Sequence, residues 1–182
     1  MNKTFFIKMS VFIKINSYFF LAVGMSLLIS NVLTAQDSTS IIDTKGCFEA
    51  AGEFSPSGPL KKPERIEVGK SCIVDLIEPY NISGTLSGKI IFNYRILVKG
   101  PCGSSPGTFD EEWIAFGKFN GNINATAASG KMSYTATVKA GGEVNGIIVL
   151  GQGIEGELHV YGNFNEGKLY YKGLLKYYSI FK

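Results

Sequence analysis

The chain has 182 residues, with 18 lysines and arginines against 15 acids, a formal net charge of +3 and a single histidine. That length suggests one domain with a core of ordinary size. A small positive surplus gives no support to a nucleic-acid partner, which needs a basic patch on the folded domain, and one histidine without any C-x-x-C spacing excludes a usual zinc site.

At the front, Lys3, Lys8 and Lys14 precede a stretch from Tyr18 to Leu33 that carries no charge, followed by Thr34-Ala35-Gln36-Asp37 as a cleavage site. This is the layout of a secretory signal peptide over residues 1–35. The competing reading, an uncleaved membrane anchor, is disfavoured because the stretch is at the short end for a spanning helix. A lipid anchor is not expected either, since the first cysteine, Cys47, follows the polar run Asp43-Thr44-Lys45-Gly46. Cleavage would remove three of the 18 basic residues and none of the acids, leaving 147 residues with 15 charges of each sign. The expectation is a secreted or periplasmic protein with no stable membrane anchor after cleavage. Glycine supplies 21 of those 147 residues, about twice its usual ~7% share, as turns and bends in a sheet protein require.

Gln36 to Lys45 reads as a flexible leader, and residues 46–182 as the folded domain. Gly46 to Phe54 alternates, with Phe48, Ala50 and Phe54 on one face and Glu49 and Glu53 on the other. Ser55 to Pro63 carries three prolines and reads as an exposed loop, with Arg65 to Val68 a short edge strand behind it. From Ser71 to Glu78, the run Cys72 to Ile77 is apolar on both faces apart from Asp75, and Pro79 is expected to end the strand. Ile90, Phe92, Tyr94, Ile96 and Val98 form the clearest inward face, opposite Lys89, Asn93, Arg95 and Lys99. Gly100 to Thr108 is a loop of a length that often covers a site.

Asp110-Glu111-Glu112-Trp113 leads into Ile114 to Gly117. From Phe119 to Ala127 asparagines at 120, 122 and 124 oppose Phe119, Ile123 and Ala125, and from Gly130 to Ala140 Met132, Tyr134, Ala136 and Val138 share a face. Gly142 to Phe164 holds two strand-like runs that meet at Gly151-Gln152-Gly153, a turn with residues able to take positive φ. One run puts Val144, Gly146, Ile148 and Leu150 on a single face, the other Ile154, Leu158, Val160 and Phe164. The last strand carries Leu169, Tyr171, Leu175 and Tyr177 inward, with Gly173 among them as a bend of the kind a closing barrel needs. No long stretch after the leader follows a helical period. Eight or nine antiparallel strands joined by short turns resolve as a barrel or a sandwich. The inward glycines favour an all-β, eight-stranded antiparallel barrel.

The three cysteines, Cys47, Cys72 and Cys102, permit one disulfide in an oxidising compartment and leave one thiol over. Spacing does not choose among the pairings. The position of Cys102 in a separate loop favours Cys47 with Cys72.

The spacing Ile82-x-Gly84-x-Leu86-x-Gly88 with Tyr94, Phe119-x-Gly121-x-Ile123, Gly142, Gly146, Gly151-x-Gly153, Leu158, Gly162 and Phe164 resembles a family of small bacterial domains of unknown function. That family is similar to the calycin-like barrels of allene oxide cyclase and dirigent proteins. The resemblance covers roughly Ile82 to Lys176 and rests on glycine and apolar positions. It implies a barrel whose mouth holds a reactive hydrophobic molecule without a metal or organic cofactor. The dirigent-like pattern has an arginine where this chain has Tyr161, and no catalytic residue of those families matches a position here.

His159 shares a strand face with Glu155, Glu157 and Tyr161, and reads better as a surface histidine than as an acid–base catalyst. Asp110, Glu111 and Glu112 read as solvated charge at the start of a strand, because alternating side chains do not converge. The aromatic residues Phe92, Tyr94, Phe119, Tyr134 and Tyr171 are the candidates for lining a small-molecule cavity, although barrels of this size are often filled by their own side chains. With no catalytic constellation in view, the expected function is non-enzymatic binding of a small hydrophobic or aromatic molecule. A cofactor-free isomerase or cyclase, needing a buried carboxylate or tyrosine in the barrel mouth, and a structural or partner-binding domain are the alternatives.

Overall fold

The computed structural model describes residues 46–177, with the side chain of Tyr177 left out. The expected signal peptide, leader and C-terminal tail lie outside these residues. Nine strands follow in chain order: β1 (Cys47–Pro56), β2 (Glu64–Val68), β3 (Ser71–Gly84), β4 (Leu86–Val98), β5 (Glu111–Ile123), β6 (Thr126–Val138), β7 (Glu143–Gly151), β8 (Ile154–Asn163) and β9 (Lys168–Tyr177). A 3₁₀ turn at Phe164–Glu166 precedes β9, its Asn163 cap accepting from the Asn165 N–H.

Each of β3 to β9 pairs antiparallel with the next, and β1 closes the ring. It pairs with β9 from Cys47↔Lys176 to Phe54↔Leu169, and with β3 from Gly52↔Gly84 to Pro56↔Tyr80. The result is a closed eight-stranded antiparallel barrel, with β2 a ninth strand laid on the other half of the same β3 edge, from Glu64↔Asp75 to Val68↔Ser71. Closure satisfies the edges that an open sheet would expose. All five residues of β2 are exposed, so this flap adds little to the core.

The period of two in the sequence becomes the inside and outside of the wall. Phe92, Phe119, Tyr134, Ile148, Leu158 and Leu175 are at most 1% exposed; burial of such a side chain contributes roughly 1.5–3 kcal/mol. The outer wall carries Lys89, Arg95, Lys118, Asn120, Lys131 and Lys172 together with exposed apolar side chains such as Ile114, Phe116 and Val149. Among the described residues no helix is long and apolar enough to cross a membrane.

Two sequence readings of the strands need correction. Pro79 does not end its strand: β3 runs through it, with Pro79 opposite Ile91 on β4. Its carbonyl accepts from the Ser57 N–H at 2.8 Å, so the donor that proline lacks would face residues 57–63, where the β1–β2 edge of the ladder is already interrupted. The alternation from Phe119 to Ala127 does not belong to one strand either. Asn124 and Ala125, at φ 46° and 69°, form the two-residue turn between the paired Ile123 and Thr126, and the alternation continues through it. At the next hairpin Gln152, at φ 57°, takes the left-handed conformation together with Gly153 at 108°.

The disulfide also differs from the expected Cys47–Cys72 pair. It joins Cys72 to Cys102, with Cα atoms 5.0 Å apart. Cys72 lies opposite Val98, close to where the Gly100–Thr108 loop leaves β4, whereas Cys47 starts β1 beside Lys176 at the opposite end of the barrel. Sequence separation misleads here because β3 and β4 fold back on one another.

Candidate functional site

The two ends of the barrel are built differently. One end has the tight turns at Thr85, Asn124–Ala125 and Gln152–Gly153; the other carries residues 57–63, the Lys99–Asp110 loop, residues 139–142 and the 3₁₀ turn. The first end is filled. Tyr171 reaches across it, accepting from the Leu86 N–H at 3.0 Å and donating to the Ser83 carbonyl at 3.1 Å. The second end is a mouth, with a cavity of about 300 Å³.

Side chains of β3, β4 and β5 form one wall of that cavity: Cys72, Val74, Leu76, Glu78 and Tyr80, then Tyr94, Ile96 and Val98, then Glu111 and Trp113. Phe164 from the 3₁₀ turn, Pro56 at the end of β1, Pro59 and Pro63 from the first loop, Arg65 of β2, residues 101–106 and residues 167–169 complete it. The covering loop is fastened at three points. Cys102 is bonded to Cys72, the Gly107 N–H donates to Glu111 Oε1 at 3.2 Å, and the Gly107 carbonyl accepts from the Gly141 N–H at 2.8 Å.

Of the five aromatic candidates, Tyr94 lines the cavity. Phe92, Phe119, Tyr134 and Tyr171 are packed in the core below it and are not among its lining residues. The aromatic rings of the mouth are instead Tyr80, Tyr94, Trp113 and Phe164. Tyr94 meets Tyr80 at 6.2 Å and Trp113 at 5.7 Å between centroids, and Trp113 meets Phe164 at 5.9 Å.

Two carboxylates enter this apolar surface. The Tyr94 hydroxyl donates to that of Tyr80 at 3.1 Å, and Tyr80 donates to Glu78 Oε2 at 2.8 Å. Burial pushes the Glu78 carboxyl up from its ordinary value, against the opposing hydrogen bond from Tyr80. Burial, reinforced by the neighbouring Glu78, holds the Tyr80 phenol well above the ordinary range, and burial with the adjacent Tyr80 does the same for Tyr94. Both phenols are therefore donors at neutral pH. Glu111 is 6% exposed and accepts from Trp113 Nε1 at 2.6 Å as well as from Gly107. Below them the Tyr134 hydroxyl is buried without a hydrogen-bond partner.

The acidic run divides as alternation requires. Glu111 turns inward, while Asp110 and Glu112 stay outside with Lys139 at 3.2 Å and Lys99 at 2.8 Å. Glu111 thereby departs from the solvated reading given to the run as a whole. Glu78 was legible by parity with Leu76 and Tyr80, but ending the strand at Pro79 hides that parity. His159 is exposed on the outer wall, 3.7 Å from Glu157, and Tyr161 stacks on Tyr170 at 5.8 Å beside it. Neither belongs to the mouth. Among the described residues no three His, Cys, Asp or Glu side chains gather as a metal-ligand set.

Fold and site together define a closed antiparallel barrel with one filled end and one open, acid-bearing aromatic mouth. No protein-family model matches this chain, and no curated protein matches it.

Proposed function

We propose that this is an exported barrel protein that binds a small hydrophobic or aromatic molecule in its mouth. The observation that carries the reading is the roughly 300 Å³ cavity walled by Tyr80, Tyr94, Trp113 and Phe164. It is at the small end of ligand pockets and combines apolar surface with a few convergent polar groups, as such pockets do. Export is supported by the signal-peptide layout of residues 1–35 and by the Cys72–Cys102 disulfide, a bond that persists in oxidising compartments. The glycine and apolar spacing that resembles the allene oxide cyclase and dirigent barrels is compatible with the closed eight-stranded wall.

Native mass spectrometry of protein from its own host is expected to show a carried small molecule. Failing that, a panel of small apolar compounds is expected to raise the melting temperature, since a ligand at about 100 times its dissociation constant adds about 2.7 kcal/mol. The gain should be lost in Tyr94→Ala. No carried molecule and no stabilisation by any compound would remove the binding reading and leave a structural or partner-binding role.

One observation favours a second reading, a cofactor-free isomerase or cyclase. Glu78 is a partly buried carboxyl with a raised pKa, bonded to a phenol pair in a cavity, which suits a group that takes up and returns a proton. Conversion of a bound compound by the native protein and not by Glu78→Gln would establish it.

A further inference from the structure

We infer that the mouth is built for a cationic ligand: a small amine with an apolar or aromatic body, its ammonium group neutralised by Glu78 and Glu111. This deepens the binding reading above and rests on it. The inward-facing positions of the eight barrel strands are apolar, glycine or tyrosine almost throughout. Among the described residues the only charged ones are Glu78 on β3 and Glu111 on β5, and both line the mouth cavity. The inward-facing positions of the barrel strands thus carry two acids and no base, while Arg65 of the β2 flap and Lys168 at the start of β9 also line the cavity.

Among the described residues neither acid is matched by a cation in an ion pair. The ion pairs of Asp75, Asp110, Glu112, Glu53, Glu64 and Glu157 all lie outside, and none includes Glu78 or Glu111. Both oxygens of Glu111 accept hydrogen bonds, from Trp113 Nε1 and the Gly107 N–H. These neutral donors fasten the loop and orient the group, but they leave its charge in place. Buried charge is ordinarily paired, so the missing counter-charge points to the ligand. The same cavity exposes Tyr80, Tyr94, Trp113 and Phe164, and aromatic faces attract organic cations.

Two basic residues border the mouth. Lys168 is already held by Glu53, at 3.2 Å to each carboxylate oxygen. Arg65 sits exposed on the β2 flap and is the group that an anionic ligand would have to use. That ligand would place its charge beside two carboxylates, which makes the acid class the disfavoured one.

The test uses 2-phenylethylamine, 2-phenylethanol and 3-phenylpropionate, close in size and differing in charge, with cyclohexylamine and cyclohexanol as a second body. Trp113 is the only tryptophan and lies in the cavity wall, so its fluorescence reports occupancy, checked by calorimetry at neutral pH. The amines are expected to bind about tenfold or more tightly than their alcohols, a difference of about 1.4 kcal/mol, and the carboxylate least. Glu78→Gln is expected to bring amine and alcohol together, and Glu111→Gln to do the same where it folds. Alcohols or carboxylate binding as tightly as the amines would overturn the cationic class and leave the pocket standing. An amine preference unchanged in Glu78→Gln and in a folded Glu111→Gln would overturn the assignment to these two acids. No binding by any of the five would overturn the class and count against the underlying binding reading, whose wider panel decides it separately.

Discussion

At the scale of single residues, the mouth and the core place opposite demands on polar groups. Burial keeps the folded Glu78 carboxyl above its unfolded pKa, so the native state retains this proton to higher pH than the unfolded chain does. Its contribution favours folding at low pH and is lost as pH rises through the folded value. Asp75, lowered by the Arg95 hydrogen bond, and Asp110, lowered by the Ala140 N–H, contribute in the other sense, and they cancel when two variants are compared. Denaturant unfolding across pH should therefore show Glu78→Gln gaining on the native protein between acid and neutral pH; a pH-independent difference would contradict this account. Tyr134 presents the simpler case of a buried hydroxyl without a partner, which carries an uncompensated desolvation cost. Tyr134→Phe is expected to leave stability unchanged or raise it by up to about 1 kcal/mol, measured by the same unfolding assay.

Individual elements are limited by backbone geometry at their turns and crossings. Ala125, at φ 69° in the β5–β6 turn, bears the Cβ penalty of the left-handed region, and Ala125→Gly should stabilise by roughly 0.5–1 kcal/mol once the added freedom of the unfolded chain is deducted. Gly173 is the reverse. A Cβ there would overlap the Glu157 carbonyl oxygen of β8, so the inward glycine permits close backbone approach between β8 and β9. Gly173→Ala is expected to cost about 2 kcal/mol or more, because the obstacle is backbone that cannot rotate away. A thermal melt indistinguishable from that of the native protein would sink this explanation. Both positions stand in alternating runs of the sequence, and alternation by itself distinguishes neither a turn residue from a strand residue nor a bend from a close crossing.

For the molecule as a whole, the Cys72–Cys102 bond ties the covering loop to β3 across a separation of 30 residues. Its reduction should cost about 3.6 kcal/mol of stability by loop closure and weaken ligand binding, because Cys102 to Pro106 form part of the cavity wall. Alkylation of unfolded, non-reduced protein should label one cysteine, Cys47, and reduction should expose all three. Three labels without reductant would refute the bridge. The same barrel is filled at one end and open at the other, so the binding and core roles of its aromatics separate by height within the wall.

That division marks the limit of what the chain alone determines. Which side chains face inward follows from a local property, the two-residue repeat of an extended backbone, and the faces of Phe54, Phe92, Trp113, Tyr134, Leu158 and Tyr171 need nothing beyond it. Barrel closure is also legible, in the number of such runs and the glycines among them. Height along the barrel axis is set by the register between paired residues far apart in sequence, such as Gly52 opposite Gly84 and Cys72 opposite Val98. Only that register decides that Tyr94 reaches the cavity while Phe119 and Tyr171 fill the floor, that Cys72 meets Cys102 and lies far from Cys47, and that Glu78 and Glu111, 33 residues apart in the chain, share one mouth. These outcomes depend on long-range pairing, which no local pattern of residues encodes.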